Sequence, residues 1–268
     1  MNSEDIHPYF GATLQKKNWV PTPSYLLRRY RILKLLEPFD KGRLIEVGCG
    51  AGALLHDFTN MGFECEAVDT SSAAFKLASY LTRDNPKVKV SRFPQDRWRA
   101  SFDFLAAFEV LEHIEDEMSA LNQWASWIRP GGRLVISVPA HSKRWSASDE
   151  WAGHYRRYDR EQLIELLNYA DFSIEHFESY GFPLGYIIEP LRAWHHLRQL
   201  KREALAGSFN KRSARTDRSG TERSLECRLF TLQKGRIGTL IIRLFCSAQN
   251  FFSDSELGVG YLVIAKRK

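Results

Sequence analysis

The chain has 268 residues, of which 44% are hydrophobic and 13% aromatic, so it has enough apolar material for a packed core and does not belong to the disordered class. Its net charge of +6 is unevenly spread: residues 192–243 carry thirteen Lys or Arg and four acids, which makes that segment +9 and the rest −3. The longest late apolar run, residues 237–252, contains Arg243 and is too short to cross a bilayer. We therefore expect no transmembrane segment and at most peripheral contact with a membrane surface.

The cysteines and the N-terminus bear on the cellular compartment. Cys49, Cys65, Cys227 and Cys246 have no C-x-x-C spacing, so they are expected to be free thiols. The first residues lack the basic-then-apolar pattern of a secretory signal peptide. Both observations favour a cytoplasmic protein, because thiols stay reduced in that compartment.

The first part of the chain, up to residue 24, is aromatic and interrupted by prolines. An amphipathic helix is predicted over residues 25–36, because Leu26, Tyr30 and Leu33 recur at helical spacing. A proline and a glycine then end this helix before the first strand. We expect the helix to pack on the sheet that follows.

Residues 44–47 form an apolar run that breaks into glycines at alternate positions, Gly48, Gly50 and Gly52. This pattern predicts a strand, a tight turn and the start of a helix, where a nucleotide-like ligand binds. Glycine is needed because the backbone takes positive φ and the ligand approaches where a Cβ would collide. The spacing differs from the G-x-G-x-x-G dinucleotide fingerprint, and Glu46 beside the glycines favours a ligand with an ammonium or sulfonium charge over a pyrophosphate.

A second apolar run, residues 63–69, ends in an acid about 20 residues after the glycines, which is the placement of a carboxylate that binds a ribose diol. This acid is Asp69. It also stands where it would cap the helix predicted over residues 71–83, and the two roles are compatible.

Strands and helices continue to alternate along the chain. Strands are predicted at residues 63–69, 87–92, 102–108, 133–138, 172–180 and 260–266, and helices at residues 53–60, 71–83, 116–128 and 159–170. This alternation predicts an α/β fold with a parallel sheet wound on both faces.

Roughly 75 residues join the last two strands, far more than a hairpin needs. Because this join leaves the carboxyl edge of the sheet, where ligands bind, it is expected to build over the substrate site. Within it, residues 184–206 and 237–252 are predicted to be helices. The Ser-, Gly- and Arg-rich residues 207–221 are predicted to be a mobile loop.

The glycine loop, Glu46, Asp69 and an Arg-Pro-Gly-Gly turn at residues 129–132 together resemble the class I S-adenosylmethionine (SAM) dependent methyltransferases. The resemblance implies a doubly wound, mostly parallel seven-stranded sheet with SAM as cofactor. It implies an N-terminal helical lid at residues 1–40, a SAM-binding core at 41–181, a helical substrate cap at 182–257 and the final strand of the core at 258–268. The alternative for the lid is a helix that only packs on the sheet.

The resemblance also assigns cofactor contacts to residues at the strand ends. These are Glu46, Gly48, Gly50, Gly52, Asp69, Thr70, Asp96 and Phe108. Asp96 would lie near the adenine amino group. Phe108 belongs to the strand exit that lines cofactor and substrate in many small-molecule methyltransferases.

That strand exit reads Glu109-x-x-Glu112-His113, the pattern of two metal-using branches: the ubiquinone-pathway O-methyltransferases and the small-RNA 3′-terminal 2′-O-methyltransferases. The RNA enzymes add a distant histidine in an aromatic and basic run, and His154 lies in such a run. Carboxylates and imidazole suit a divalent ion such as Mg²⁺, which would bind a substrate hydroxyl. The resemblance thus implies Glu109, Glu112, His113 and His154 as metal ligands. The alternative is that Glu112 and His113 only orient the turn.

His154 and His141 are the candidate catalytic residues. His141 follows the strand at 133–138 at the same sheet edge, and as a general base it must come within ~3 Å of the substrate proton.

The predicted function is methyl transfer from SAM to a small-molecule or lipid-like acceptor, with oxygen as the expected site of methylation. The alternative is a Mg-dependent enzyme that methylates the 3′ end of a small RNA, for which the basic segment argues. A degenerate fold that only binds is a third hypothesis, against which the intact glycine loop argues.

Overall fold

The computed structural model describes residues 6–206, 212–221 and 223–268. Its centre is a seven-stranded sheet. The strands are β1 (Arg43–Val47), β2 (Glu64–Val68), β3 (Val88–Ser91), β4 (Phe102–Phe108), β5 (Ile128–Pro139), β6 (Phe172–Tyr180) and β7 (Gly260–Arg267). Their order in the sheet is β3-β2-β1-β4-β5-β7-β6. The pairs from β3 to β5 are parallel, and β7 is antiparallel to both of its neighbours, so the predicted fold class is confirmed.

Helices lie on both faces of the sheet and in the long insertion. They are α1 (Pro23–Leu36), α2 (Ala53–Met61), α3 (Ser72–Thr82), α4 (Glu117–Trp127), α5 (Ala147–Ala152), α6 (Arg160–Tyr169), α7 (Leu184–Leu205), α8 (Arg212–Thr221), α9 (Ser224–Lys234) and α10 (Arg236–Ala248). Local chemistry sets several of their starts: the side chains of Thr22, Ser71 and Asp116 each accept a backbone hydrogen bond in the first turn of α1, α3 and α4. The predicted helices of the core are confirmed within two residues at their ends.

Two parts of the insertion differ from the prediction. Residues 212–221, interpreted as a mobile loop, form α8, while residues 207–211 lie outside the described residues. The Gly, Ser and Thr residues of α8 have low helix propensity, and tertiary contacts compensate: Arg218 pairs with Glu203 at 2.6 Å, and Trp19 donates to the Gly220 carbonyl at 3.3 Å. Helix α9 was not predicted either.

The N-terminal unit also differs from a purely helical lid. Before α1, strands Ile6–His7 and Gly11–Ala12 form a short antiparallel hairpin. Helix α1 packs against α10 of the insertion through an apolar cluster that includes Phe10, Leu27 and Ile242. The N-terminal segment and the insertion therefore share one apolar layer at the edge of the core.

The remaining face of α10 is exposed and apolar, with Ile237, Leu240 and Leu244 at the surface. Among the described helices, none is long and apolar enough to cross a membrane. Peripheral membrane contact through this face stays a prediction.

Candidate active site

The glycine loop runs from β1 to α2 with left-handed backbone at each of its glycines. Gly48, Gly50 and Gly52 have φ of 66°, 55° and 75°. A Cβ at Gly48 would lie 2.5 Å from the Val110 Cγ2 atom, so packing alone explains that glycine. At Gly50 the nearest atom to such a Cβ is the Gly220 carbonyl oxygen, 4.0 Å away. Gly50 therefore leaves open space beside the loop, where a ligand can approach the backbone.

Asp69, at the end of β2, ties the glycine loop to the start of α3. One carboxylate oxygen accepts from the Gly50 N–H at 2.8 Å, and the other accepts from the Ser71 N–H at 3.0 Å. Burial raises the pKa of Asp69 above its usual value, although these two hydrogen bonds oppose the effect. The carboxylate is thus held at the mouth of the loop, with lone pairs left to accept from a ligand.

Two cavities adjoin at the carboxyl ends of the strands and share Gly48, Gly50, Glu109, His113 and Gly220. The larger cavity, about 590 Å³, is lined by the end of β2 and by apolar side chains of α4. Asp69 and Thr70, two of the predicted cofactor contacts, lie in its wall. The smaller cavity, about 250 Å³, is lined by charged and aromatic residues from the N-terminal segment, the core and the insertion.

Glu46 lies in the wall of the smaller cavity with only 3% of its surface exposed. One of its carboxylate oxygens, Oε2, is buried without a hydrogen-bond partner in the described structure. Burial raises the pKa of Glu46 well above its usual value, and the positive charge of Arg28 opposes this rise. A positive charge on a bound ligand would favour the ionised carboxylate and offset the cost of burying it. The position therefore suits a cationic ligand.

The exit of β4 places two acids in different surroundings. Glu109 has a left-handed backbone with φ 57°, and its Oε1 atom accepts from Tyr180 at 2.9 Å and from Ser137 at 3.2 Å. Glu112 is fully buried, and neither of its carboxylate oxygens has a hydrogen-bond partner in the described structure. Burial, and then the charge of Glu109, raises the pKa of Glu112 well above its usual value. Unsatisfied buried carboxylates are rare, so this side chain calls for a functional explanation.

Glu112, His113 and His154 bring potential metal-ligand atoms within 4.8 Å of one another. The His154 Nδ1 atom lies 3.0 Å from Asp149, which orients the ring so that Nε2 faces Glu112 at 3.9 Å. Burial, and then His154, lowers the pKa of His113 to about 3, so its imidazole is neutral near pH 7. Three of the four predicted metal ligands therefore meet, while Glu109 stands outside this group of donor atoms.

Three other predicted residues take different positions. Phe108 lines the smaller cavity. His141 does not line either cavity: its ring nitrogens lie 3.1 Å from the Gly258 carbonyl oxygen and 3.4 Å from the Tyr261 hydroxyl. Asp96 is exposed on a short 3₁₀ turn, and its neighbour Pro94 lines the larger cavity instead. The roles assigned to these three residues stay predictions.

Several residues that line the smaller cavity could not be identified from the sequence pattern of the glycine loop. They are Trp19, Arg28, Tyr180, Arg192, Gly220 and Arg223. They come from segments far apart in the chain. One contact that positions α8 is made by Thr216, whose hydroxyl lies 3.3 Å from His113 Nδ1. Helix α5, which was not predicted, does carry a local signature, the capping box formed by Ser146 and Asp149.

Comparison with known proteins agrees with this geometry. The family model described as a methyltransferase domain matches residues 24–177. A ubiquinone biosynthesis O-methyltransferase from Bradyrhizobium sp. (strain ORS 278) is 34% identical over 99 residues, which cover 36% of this chain and 39% of that protein. One from Rhodopseudomonas palustris (strain TIE-1) is 34% identical over 115 residues, covering 40% and 44%. The matched region thus spans about two fifths of these curated relatives.

Solved structures match at the level of the fold. An S-adenosylmethionine dependent methyltransferase from Mesorhizobium loti has a TM-score of 0.55 at 15% identity, with 92% of this chain and 98% of that chain covered. The [4+2]-cyclase SpnF has a TM-score of 0.54 at 19% identity, with 91% and 81% covered. Since the second of these proteins is named for a different reaction, the shared architecture does not by itself specify the chemistry.

Proposed function

The chain belongs to the methyltransferase domain family, and from that premise we propose that it transfers a methyl group from SAM to an oxygen atom of a small-molecule or lipid-like acceptor. The observation that carries the proposal is the glycine loop pinned by Asp69 at the junction of two cavities. The larger cavity suits a nucleoside, and the smaller cavity suits the reacting groups. The names of the curated relatives support a small-molecule acceptor and oxygen as the methylated atom.

The cofactor would be held by Asp69 at its ribose hydroxyls, by the backbone at Gly50 and by the cation-favouring environment of Glu46. SAM supplies a methyl group that is already activated as a sulfonium. The protein's contribution is therefore mainly to align and desolvate the acceptor, which requires an enclosed cavity more than a covalent catalyst.

On the acceptor side, His154 has the geometry of a general base. Asp149 accepts from its Nδ1–H at 3.0 Å, which leaves Nε2 as the proton acceptor. Burial opposes ionisation of Asp149, but hydrogen bonds from His154 and Arg157 lower its pKa to about 2, so it stays charged and keeps the imidazole oriented. His141, whose ring contacts Gly258 and Tyr261, is the weaker candidate.

The same neighbourhood fits a divalent cation. Glu112 offers two unsatisfied buried oxygens, and His113 and His154 offer imidazole nitrogens within 4.8 Å. Mg²⁺ prefers oxygen ligands, whereas two imidazoles and one carboxylate suit Mn²⁺, Fe²⁺ or Zn²⁺ better. A cation held there would lower the pKa of an acceptor hydroxyl. It would also occupy His154 Nε2, because Nδ1 is bound to Asp149, so the general-base and metal-ligand roles of His154 are alternatives. The donor atoms are the observation that supports the cation. The alternative is that Glu112 and His113 only orient the turn, and the Glu112 carbonyl does accept from the Tyr155 N–H.

We do not adopt RNA as the acceptor. The basic segment was the argument for RNA, and two of its arginines are engaged by other parts of the chain: Arg218 pairs with Glu203, and Arg215 donates to the Glu150 carbonyl. We propose instead that residues 182–257 cap the acceptor site and that residues 1–40 close over the cofactor. Arg192 of α7 and Trp19 of the N-terminal segment, which line the smaller cavity, support this division.

The experiment that tests the function is incubation of the protein with methyl-labelled SAM and a whole-cell extract, with separation into small-molecule, lipid and RNA fractions. We expect label in the small-molecule or lipid fraction, and none with an Asp69→Ala variant. Label confined to RNA would reject the acceptor class. Absence of SAM binding in direct calorimetry would reject the methyltransferase function itself.

The different surroundings of Gly48 and Gly50 predict different results when each glycine is replaced by alanine. In Gly48→Ala and Gly50→Ala, the positive φ adds about 1–2 kcal/mol of backbone strain at either position. Gly48→Ala also forces its methyl onto Val110, so we expect a total loss of about 3 kcal/mol in the free energy of unfolding. Gly50→Ala should lose only the strain energy, but its methyl enters the cavity and should remove most SAM affinity. Urea denaturation and calorimetric titration measure the two effects, and equal stability losses with SAM affinity retained in Gly50→Ala would contradict this assignment.

A further inference from the structure

Four arginines from different parts of the chain line the smaller cavity: Arg28, Arg157, Arg192 and Arg223. Arg28 lies on α1, Arg192 on α7, and Arg223 directly precedes α9. Arg28 has a nearby carboxylate, because its Nη1 atom lies 3.6 Å from Glu109 Oε1. Arg192 and Arg223 have no carboxylate within 4.0 Å in the described ranges.

The acids that line the same cavity do not compensate these two arginines. Asp149 accepts from His154 and from Arg157 Nε at 2.8 Å. Glu189, one turn before Arg192 on α7, is bound by Arg144 and by Arg157. Of the other two lining acids, Glu46 is favoured in its neutral form by burial, and Glu109 is shared by Ser137, Tyr180 and Arg28.

Arg223 is the more constrained of the two arginines. Its Nε atom is buried without a hydrogen-bond partner in the described structure. Burial lowers the pKa of Arg223 to about 10; Glu226 opposes this shift, whereas the charges of Arg192 and Arg28 add to it. Guanidinium groups that crowd together in a cavity without counter-charge are costly unless an anion binds between them.

We propose that Arg192 and Arg223 form an anion subsite in the smaller cavity, which binds a carboxylate or phosphate group. The inference rests on the proposed function and names a chemical feature of its ligands. Two ligands could supply the anion: the acceptor, through an acidic substituent, or SAM, through its methionine carboxylate. The cavity reaches both sides, since Gly50 and His154 line it as well.

The test uses the full chain saturated with S-adenosylhomocysteine and titrated with phenyl phosphate or benzoate in a calorimeter. If the subsite belongs to the acceptor, wild type should bind one of these probes, and Arg192→Gln and Arg223→Gln should each weaken that binding about 10-fold or more, as expected for loss of a charge-assisted hydrogen bond. If the subsite holds the cofactor's carboxylate, bound S-adenosylhomocysteine should block both probes. Arg192→Lys should retain part of the affinity. Arg198→Gln on α7 and Arg228→Gln on α9 are matched controls, because both side chains are exposed, and they should leave binding unchanged.

Cofactor titrations separate the two sources. If the Gln variants weaken S-adenosylhomocysteine but not methylthioadenosine, which lacks the methionine carboxylate, the subsite takes the cofactor's carboxylate. If both nucleosides bind normally and only the aromatic anions are lost, the subsite belongs to an acidic acceptor. The inference is overturned if neither anion binds wild type and the Gln variants bind S-adenosylhomocysteine as tightly as wild type. Failure of wild type to bind S-adenosylhomocysteine would instead reject the proposed function, and the phenyl phosphate titration of the unliganded protein would still decide the subsite.

Discussion

Replacing Asp69 with alanine is expected to weaken SAM binding about 100- to 10,000-fold, because the two charge-assisted hydrogen bonds proposed between this carboxylate and the ribose would be lost, each worth about 1.5–3 kcal/mol. A second effect acts in the same direction. The Asp69 carboxylate also accepts from the Gly50 N–H and the Ser71 N–H, so its removal should loosen the loop that we propose contacts the cofactor. Calorimetric titration with SAM measures the loss.

The matched control is Glu64→Ala, at the opposite end of the same strand, where the carboxylate is exposed. This variant should bind SAM like wild type. A change of less than about 5-fold in a folded Asp69→Ala protein would be too small for two hydrogen bonds to a ribose. Such a result would move the ribose away from the end of β2.

Replacing Glu112 with methionine is expected to have opposite effects on stability and on activity. The buried carboxyl group has no hydrogen-bond partner, so an apolar side chain of similar volume should raise the free energy of unfolding by about 1–3 kcal/mol in the presence of a chelator. If Glu112 binds a cation that activates the acceptor, the same change should lower kcat about 100- to 1000-fold. Thermal unfolding with and without Mn²⁺ or Mg²⁺, together with turnover of the labelled acceptor, measures both effects.

The exposed neighbour Glu115 supplies the control for this variant. Glu115→Met should change neither the response of the melting temperature to divalent cations nor kcat. A Glu112→Met protein that keeps full turnover and the same cation response would show that the metal proposal is wrong. A variant that loses stability would show that the carboxyl group has a structural partner, such as ordered water.

Much of the core was predictable because its signals are local. The alternation of strands and helices, the glycine loop and the acid at the end of β2 each depend on residues within a few positions of one another. The start of α3 also depends on a local signal, but the prediction that Asp69 caps this helix was wrong: the N-cap is Ser71, and Asp69 accepts from the Ser71 N–H. Helix α8 was mispredicted because its local propensity is poor, and contacts such as Arg218 with Glu203 decide its conformation.

The same distinction between local signals and long-range contacts applies to the candidate site. The residues proposed to bind the cofactor, Glu46, Gly50 and Asp69, could be identified from the sequence, because adjacent parallel strands position them and the carboxyl ends of those strands must meet. The residues proposed for the acceptor could be found only from the folded structure. It placed His154 next to Glu112, left Glu109 outside the group of donor atoms, and brought Arg192 and Arg223 to one cavity. Those contacts join residues far apart in the chain, and their pairing depends on how the insertion packs on α1 and on the core, which no local pattern encodes.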